Sequence, residues 1–133
     1  MRRSAFAPRR QNSHRSDEWK RCEPFLKWLR GRPCFISTLR GATPCRGKIV
    51  AAHFDPWGDK GTGSKVSDQA AMPLCGDPGG HHDEQHRIGW PAFQARYEFD
   101  GRSAVEAYWR EWLTQTPMGV AWAQARKLEA VSI

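Results

Sequence analysis

No uninterrupted apolar run in these 133 residues approaches the length of a membrane span, which takes about 18 or more such positions. No apolar stretch follows the N-terminal arginines either, so an export signal is also missing. Both absences lead to the expectation of a soluble, cytoplasmic protein with no membrane partner. Short CxxC pairs are lacking, and the Gly-rich "GDKGTGSK" lacks the four-residue gap between glycines that precedes Lys-Ser/Thr in a P-loop. A nucleotide-binding P-loop is therefore rejected. No internal repeat occurs, and no segment reads as a recognition helix for the major groove, so base-specific DNA reading is not expected. Histidine is scarce: the chain has five.

Three of those five, His81, His82 and His86, fall within six positions of "GGHHDEQHRIG". A single histidine on a helix is usually structural, but three so close together point to a metal. If a helix starts there, His82 and His86 are four residues apart and share a face, with β-carbons about 5–6 Å apart, which is chelating spacing. His81 points elsewhere and suits a different ion. Asp83 and Glu84 cannot lie on the same narrow face, and favour the helix N-terminus by their charge.

The four cysteines, Cys22, Cys34, Cys45 and Cys75, could form two disulfides in a secreted protein. Without an export signal, metal binding is the better use of them. Cys34 and Cys45 precede a short strand, Cys75 follows it, and His81 lies six residues further on, so two loops can each supply a pair of ligands for a tetrahedral zinc. Cys22 is left over as a small buried hydrophobe.

Charge is distributed unevenly. Residues 1–32 hold 10 Lys/Arg against 3 Asp/Glu, while residues 33–133 are balanced. The basic arm, residues 1–15, lacks an apolar period and is expected to be disordered. Such an arm suits a polyanion, because its cations displace counterions from phosphates. Arg2, Arg3, Arg9 and Arg10, with Lys65 of the Gly-rich loop, are the expected contacts to a DNA backbone.

Residues 16–133 read as one domain. A first helix is expected from Ser16 as N-cap through Trp19, Leu26 and Leu29 to Gly31, turned or kinked at Pro24. "KIVAAHF" (48–54) reads as a strand ending at His53, "AAMPLC" (70–75) as a second strand, and a helix runs from His81 toward Arg87 with Gly89 ending it. Ser103 and Glu106 form a capping box opening "AVEAYWREWLTQ", with Val105, Tyr108, Trp109 and Trp112 on one stripe. Thr116 caps a last helix with Pro117 at its first position, and these C-terminal helices fill 103–131. The aromatic stripe reads as core packing. The fold class is α+β.

His53, at the end of a strand, is the remaining residue for chemistry. As neutral imidazole it could take a proton from water attacking a phosphate, while a cation on His82 and His86 stabilises the leaving oxygen. The order of "GRPC" (31–34), "VAAH" (50–53), "GTGSKVSD" (61–68), "MPLC" (72–75) and "HHDEQHRIG" (81–89) resembles an HNH endonuclease of the ββα-metal type. In particular it resembles phage and prophage nucleases related to the RecA-dependent recombination-enhancement nuclease. The similarity spans about residues 26–100, and the HxxxH helix is also similar to that of colicin-type DNases.

The resemblance implies that His53 is the general base, that His82 and His86 hold a catalytic divalent cation such as Mg²⁺, Mn²⁺ or Zn²⁺, and that Cys34, Cys45, Cys75 and His81 hold a structural Zn²⁺. It also puts Asp68 near the position whose Asn orients the base in relatives. Two departures stand out: Ala52 replaces an Asp or His that adds a metal ligand in many relatives, and "GDPGG" widens the gap after Cys75 to five residues. The expectation is a metal-dependent DNA endonuclease. The alternatives are a non-catalytic zinc-containing nucleic-acid-binding module, or an accessory protein that works through a recombinase filament or packaging machinery by way of its Trp-rich C-terminal helices.

Overall fold

A computed structural model describes residues 21–39, 44–57, 67–76 and 78–126. The basic arm with Arg2, Arg3, Arg9 and Arg10, the proposed helix start at Ser16, Lys65 and residues 127–131 of the expected C-terminal helices lie outside the described residues.

The first described helix, α1, runs Glu23–Arg30 with Cys22 at its N-cap position. Arg21 and Cys22 are not helical, so the expected helix from Ser16 to Gly31, turned or kinked at Pro24, is corrected to one that starts at Glu23. Pro24 sets the boundary: it lacks an N–H and crowds a preceding turn, so it is accommodated in the first turn. A short 3₁₀ turn, Phe35–Thr38, follows Cys34. Strand β1, Ile49–His53, pairs antiparallel with β2, Ala71–Cys75, with Ile49 opposite Cys75 and His53 opposite Ala71. Pro73 is tolerated in β2 because in a two-stranded sheet each strand has a free edge.

Alternation along the strands separates two cores. Ala52, Met72 and Leu74 join Ile36, Phe54, Trp90, Phe93 and Val105 in one. Ala51 and Ala71 face the other, built from Phe25, Leu29, Trp112, Leu113 and Ala123. Both layers close over β2, all of whose residues are buried.

Helix α2, His81–Ile88, follows β2, and Gly89 ends it as expected. A second short helix the sequence did not reveal, α3 (Trp90–Tyr97), begins at once. Gly89 serves both: its φ of 88° reverses the chain between the helices, a conformation that costs other residues steric strain. Pro91 then occupies the first turn of α3.

Helix α4 spans Gly101–Gln115. Its cap is Asp100 instead of the expected Ser103: the Asp100 Oδ2 accepts the Ser103 backbone N–H at 3.0 Å and the Ser103 hydroxyl at 2.7 Å. Ser103 thus already lies inside the helix. Thr116 caps α5, Pro117–Ala125, by accepting the Gly119 N–H at 2.9 Å, as the sequence indicates. The aromatic stripe packs as core: Trp112 is buried, Phe25 meets Trp109 edge-on at 5.0 Å, and Trp109 stacks on Trp112 at 5.5 Å. The result is a mixed helix and sheet fold, α+β, with five α-helices and one two-stranded sheet among the described residues. No helix among them is long and apolar enough to cross a membrane.

Candidate metal centre and histidine sites

Cys34 stands at the N-cap position of the 3₁₀ turn, Cys75 ends β2, His81 opens α2 and Cys45 lies on the exposed segment before β1. The fold brings these four together, with all donor atoms within 4.8 Å of one another. The His81 Nδ1 lies 3.4, 3.7 and 3.2 Å from the sulfurs of Cys34, Cys45 and Cys75. A tetrahedral ion with Zn–S of about 2.3 Å and Zn–N of about 2.0–2.1 Å requires S···N edges of about 3.5 Å. The four side chains are thus positioned to hold a metal ion, and three thiols with one imidazole are compatible with structural zinc.

Electrostatics favour a cation here. Partial desolvation and then the sulfurs of Cys34 and Cys75 push the Cys45 thiol up to about 12, and burial raises Cys34 as well. Burial works against Cys75 too, but backbone N–H groups of His81 and Arg46 outweigh it and hold that thiol below its usual range. The His81 N–H donates to the Cys75 sulfur at 3.1 Å. Burial keeps the His81 imidazole neutral, the form that ligates. Thiolates this close repel one another unless a positive ion sits between them.

Outer contacts fix α2 in place. The Tyr97 hydroxyl donates to Glu84 Oε1 at 2.5 Å, Arg96 Nε pairs with Glu84 Oε2 at 3.0 Å, and the Tyr97 ring meets His81 edge-on at 5.5 Å. Glu84 therefore ties α2 to α3, a role beyond the N-terminal charge its sequence position suggests. Asp83 accepts the Gly79 N–H at 3.3 Å.

On the same helix the next residue faces out. His81 and Gln85 are buried, while His82 and His86 approach each other with Nε2 atoms 3.2 Å apart. Two imidazoles on one ion at about 2.0–2.1 Å each would put their nitrogens about 3.0–3.4 Å apart. Burial and the neighbouring His86 hold the His82 imidazole below its usual range, toward the neutral ligating form. Among the described residues no third His, Cys, Asp or Glu joins this pair in a metal-binding group, and His53 does not share such a group with it. Ala52 is buried in the core and offers no ligand.

His53 finds its partner elsewhere. Its Nε2 lies 2.9 Å from Asp68 Oδ1, and the other Asp68 oxygen accepts the backbone N–H of Cys22 at 2.6 Å. Burial raises the Asp68 carboxyl, but hydrogen bonds from His53 and the Cys22 amide, with the charges of His53 and Arg21, bring it below its usual value. Sequence reasoning missed the Cys22 contribution, which comes from its backbone amide at the start of α1. Pro24, which fixes where that helix begins, was the available signal. The Cys22 side chain is buried and its thiol pushed up to about 11 by burial, in keeping with a packing role.

No protein-family model matches the chain, and no curated protein or solved structure matches it either.

Proposed function

We propose that the protein is a metal-dependent endonuclease hydrolysing DNA phosphodiester bonds, with a ββα-metal core of the HNH type. The observation that carries the reading is the His53–Asp68 pair at the end of β1. A carboxylate on Nε2 fixes the proton there and leaves the Nδ1 lone pair free to accept one. The His53 side chain is 36% exposed, so a substrate can reach it. The order β1, β2, α2, with His53 closing β1 and His82 and His86 on α2, resembles that core.

In the reaction His53 removes a proton from water as its oxygen attacks phosphorus, and Asp68 stabilises the imidazolium that results. A divalent cation held by His82 and His86 would stabilise negative charge on the leaving 3′ oxygen. The Cys34, Cys45, Cys75 and His81 centre fixes α2, so that its two outward imidazoles are held in one orientation. The basic segment 1–32 supplies affinity for the phosphate backbone without sequence preference.

The test is nicking of supercoiled plasmid with Mg²⁺, Mn²⁺, Ni²⁺ or no metal, for the wild type, His53→Ala and His82→Ala. Metal-dependent nicking lost in both variants is expected. Salt-sensitive DNA binding with no cleavage by any ion would instead favour a non-catalytic binding module. An accessory role through a protein partner is the second reading, and it draws on Met118 and Val120 of α5, which are 59% and 38% exposed. Restoration of cutting by an added recombinase filament would favour it.

A further inference from the structure

The metal centre is closed on three sides and open on the fourth. Cys34, Cys75 and His81 are each at most 2% exposed, whereas Cys45 is exposed and lies in a segment, 44–48, whose every residue is exposed. Held as a thiolate by a bound cation, Cys45 is the ligand sulfur that an electrophile arriving from solvent reaches first.

We infer that Cys45 is an oxidation site through which hydrogen peroxide releases the metal. The Cys45 thiolate attacks one peroxide oxygen. An S–O bond forms, the O–O bond breaks, and the departing hydroxide takes up a proton to become water. A neighbouring thiolate, Cys34 or Cys75, then attacks the Cys45 sulfur. The S–O bond breaks, a second hydroxide leaves and is protonated, and a disulfide forms. Two thiolates lose two electrons in all, and one peroxide becomes two waters. The donor atoms already lie within 4.8 Å of one another, so closing to the disulfide length of about 2.05 Å takes a small movement of the exposed segment. One thiolate and His81 remain, too few to hold the ion.

This inference rests on the Cys/His metal centre and not on nuclease activity. Its consequence for activity does rest on the nuclease reading: His81 and His82 are adjacent on α2, so losing the ion loosens the helix that carries the outward pair.

The test uses the full chain loaded with zinc, treated with hydrogen peroxide beside a chromogenic chelator. Expected are release of zinc, loss of both thiols of one pair, a mass about 2 Da lower, a disulfide peptide containing Cys45, and reversal by dithiothreitol with zinc. Cys45→His, which keeps a nitrogen ligand but no oxidisable sulfur, should release zinc at least about tenfold more slowly. Equal release rates, or metal loss with Cys45 still reduced, would overturn the proposal. Should Cys45→His fail to take up zinc, brief alkylation of the zinc-loaded wild type decides: Cys45 labelled first supports the proposal, and another cysteine labelled first refutes it. A wild-type chain that takes up no zinc fails earlier, at the metal centre, and overturns both. Nicking assays on the oxidised protein bear only on the consequence for activity.

Discussion

Asp68→Asn separates a catalytic pairing from a merely structural one. Two donors converge on the Asp68 carboxylate: the Cys22 backbone N–H at 2.6 Å and the His53 ring at 2.9 Å. A carboxylate accepts both, whereas a carboxamide has one oxygen and one NH₂. The Cys22 amide cannot change from donor to acceptor, and turning the NH₂ toward it would leave a donor unsatisfied at a cost of about 1–3 kcal/mol. The Asn oxygen is therefore expected on Cys22 and its NH₂ on His53. His53 Nε2 must then accept, which moves the ring proton to Nδ1 and removes the lone pair proposed to act as base. Nicking should fall about 10²–10⁴-fold, the scale of losing a positioned base. The fold should lose only about 1–3 kcal/mol, the charge-assisted part of the two bonds.

The same change alters the acid limb of stability. The Asp68 carboxyl is held below its ordinary value of 3.8, so the folded state binds its proton less readily than the unfolded chain. Its contribution is fully present above about pH 4 and fades as pH falls through the folded pKa. Thermal melts from pH 2 to 6 should show this loss in the wild type and a weaker one in Asp68→Asn. Nitrogen NMR of the imidazole reads the tautomer directly. Nicking within about threefold of wild type, or a His53 ring still protonated on Nε2, would refute the reasoning.

Elemental analysis should find one zinc per chain, and chelation should lower the thermal midpoint and unfold the segments that carry Cys34 and Cys45, because small sites of this kind gain folding energy from the ion. Cys75→Ser, at a fully buried ligand, should do the same; cooperative unfolding retained by a zinc-free chain would contradict this. Gly119→Ala should destabilise by about 3 kcal/mol or more, since its Cβ would sit 1.8 Å from the Trp112 carbonyl oxygen and force α5 off α4; denaturant melts measure it. Tyr97→Phe removes the charge-assisted hydrogen bond to Glu84 and should cost about 1.5–3 kcal/mol while zinc content stays the same.

Much of the helix and strand content could be read from residue patterns because local chemistry and tertiary packing agree there. Thr116 and Pro117 mark the start of α5, Gly89 the end of α2, and the spacing of His82 and His86 puts both on one face. The four residues of the metal-binding group were legible as residue types, but their meeting depends on the fold, since Cys34 and His81 are 47 positions apart. Where the sequence misled, two signals competed. Ser103 and Glu106 form a good capping box, yet Asp100 lies three residues earlier and can accept both the Ser103 amide and its hydroxyl. Helix α3 was invisible because Gly89 and Pro91 at its start read as loop punctuation. The Cys22 amide was marked only indirectly, by Pro24 in the first turn of α1, because a backbone donor has no side-chain signature of its own.

That amide also bears on how the protein can be cut into pieces. The family-like motifs begin near residue 26, and a fragment trimmed to them would keep every side chain proposed for catalysis. It would nevertheless lack the N–H that holds Asp68 from 46 positions away, and with Phe25 removed, Trp109 would lose its edge-on neighbour and Trp112 a tilted ring contact. At the other end, stopping at residue 100 would strip α4 from both cores. A fragment that keeps the described contacts therefore runs at least from Cys22 to the last turn of α5, well beyond the stretch proposed to carry the chemistry.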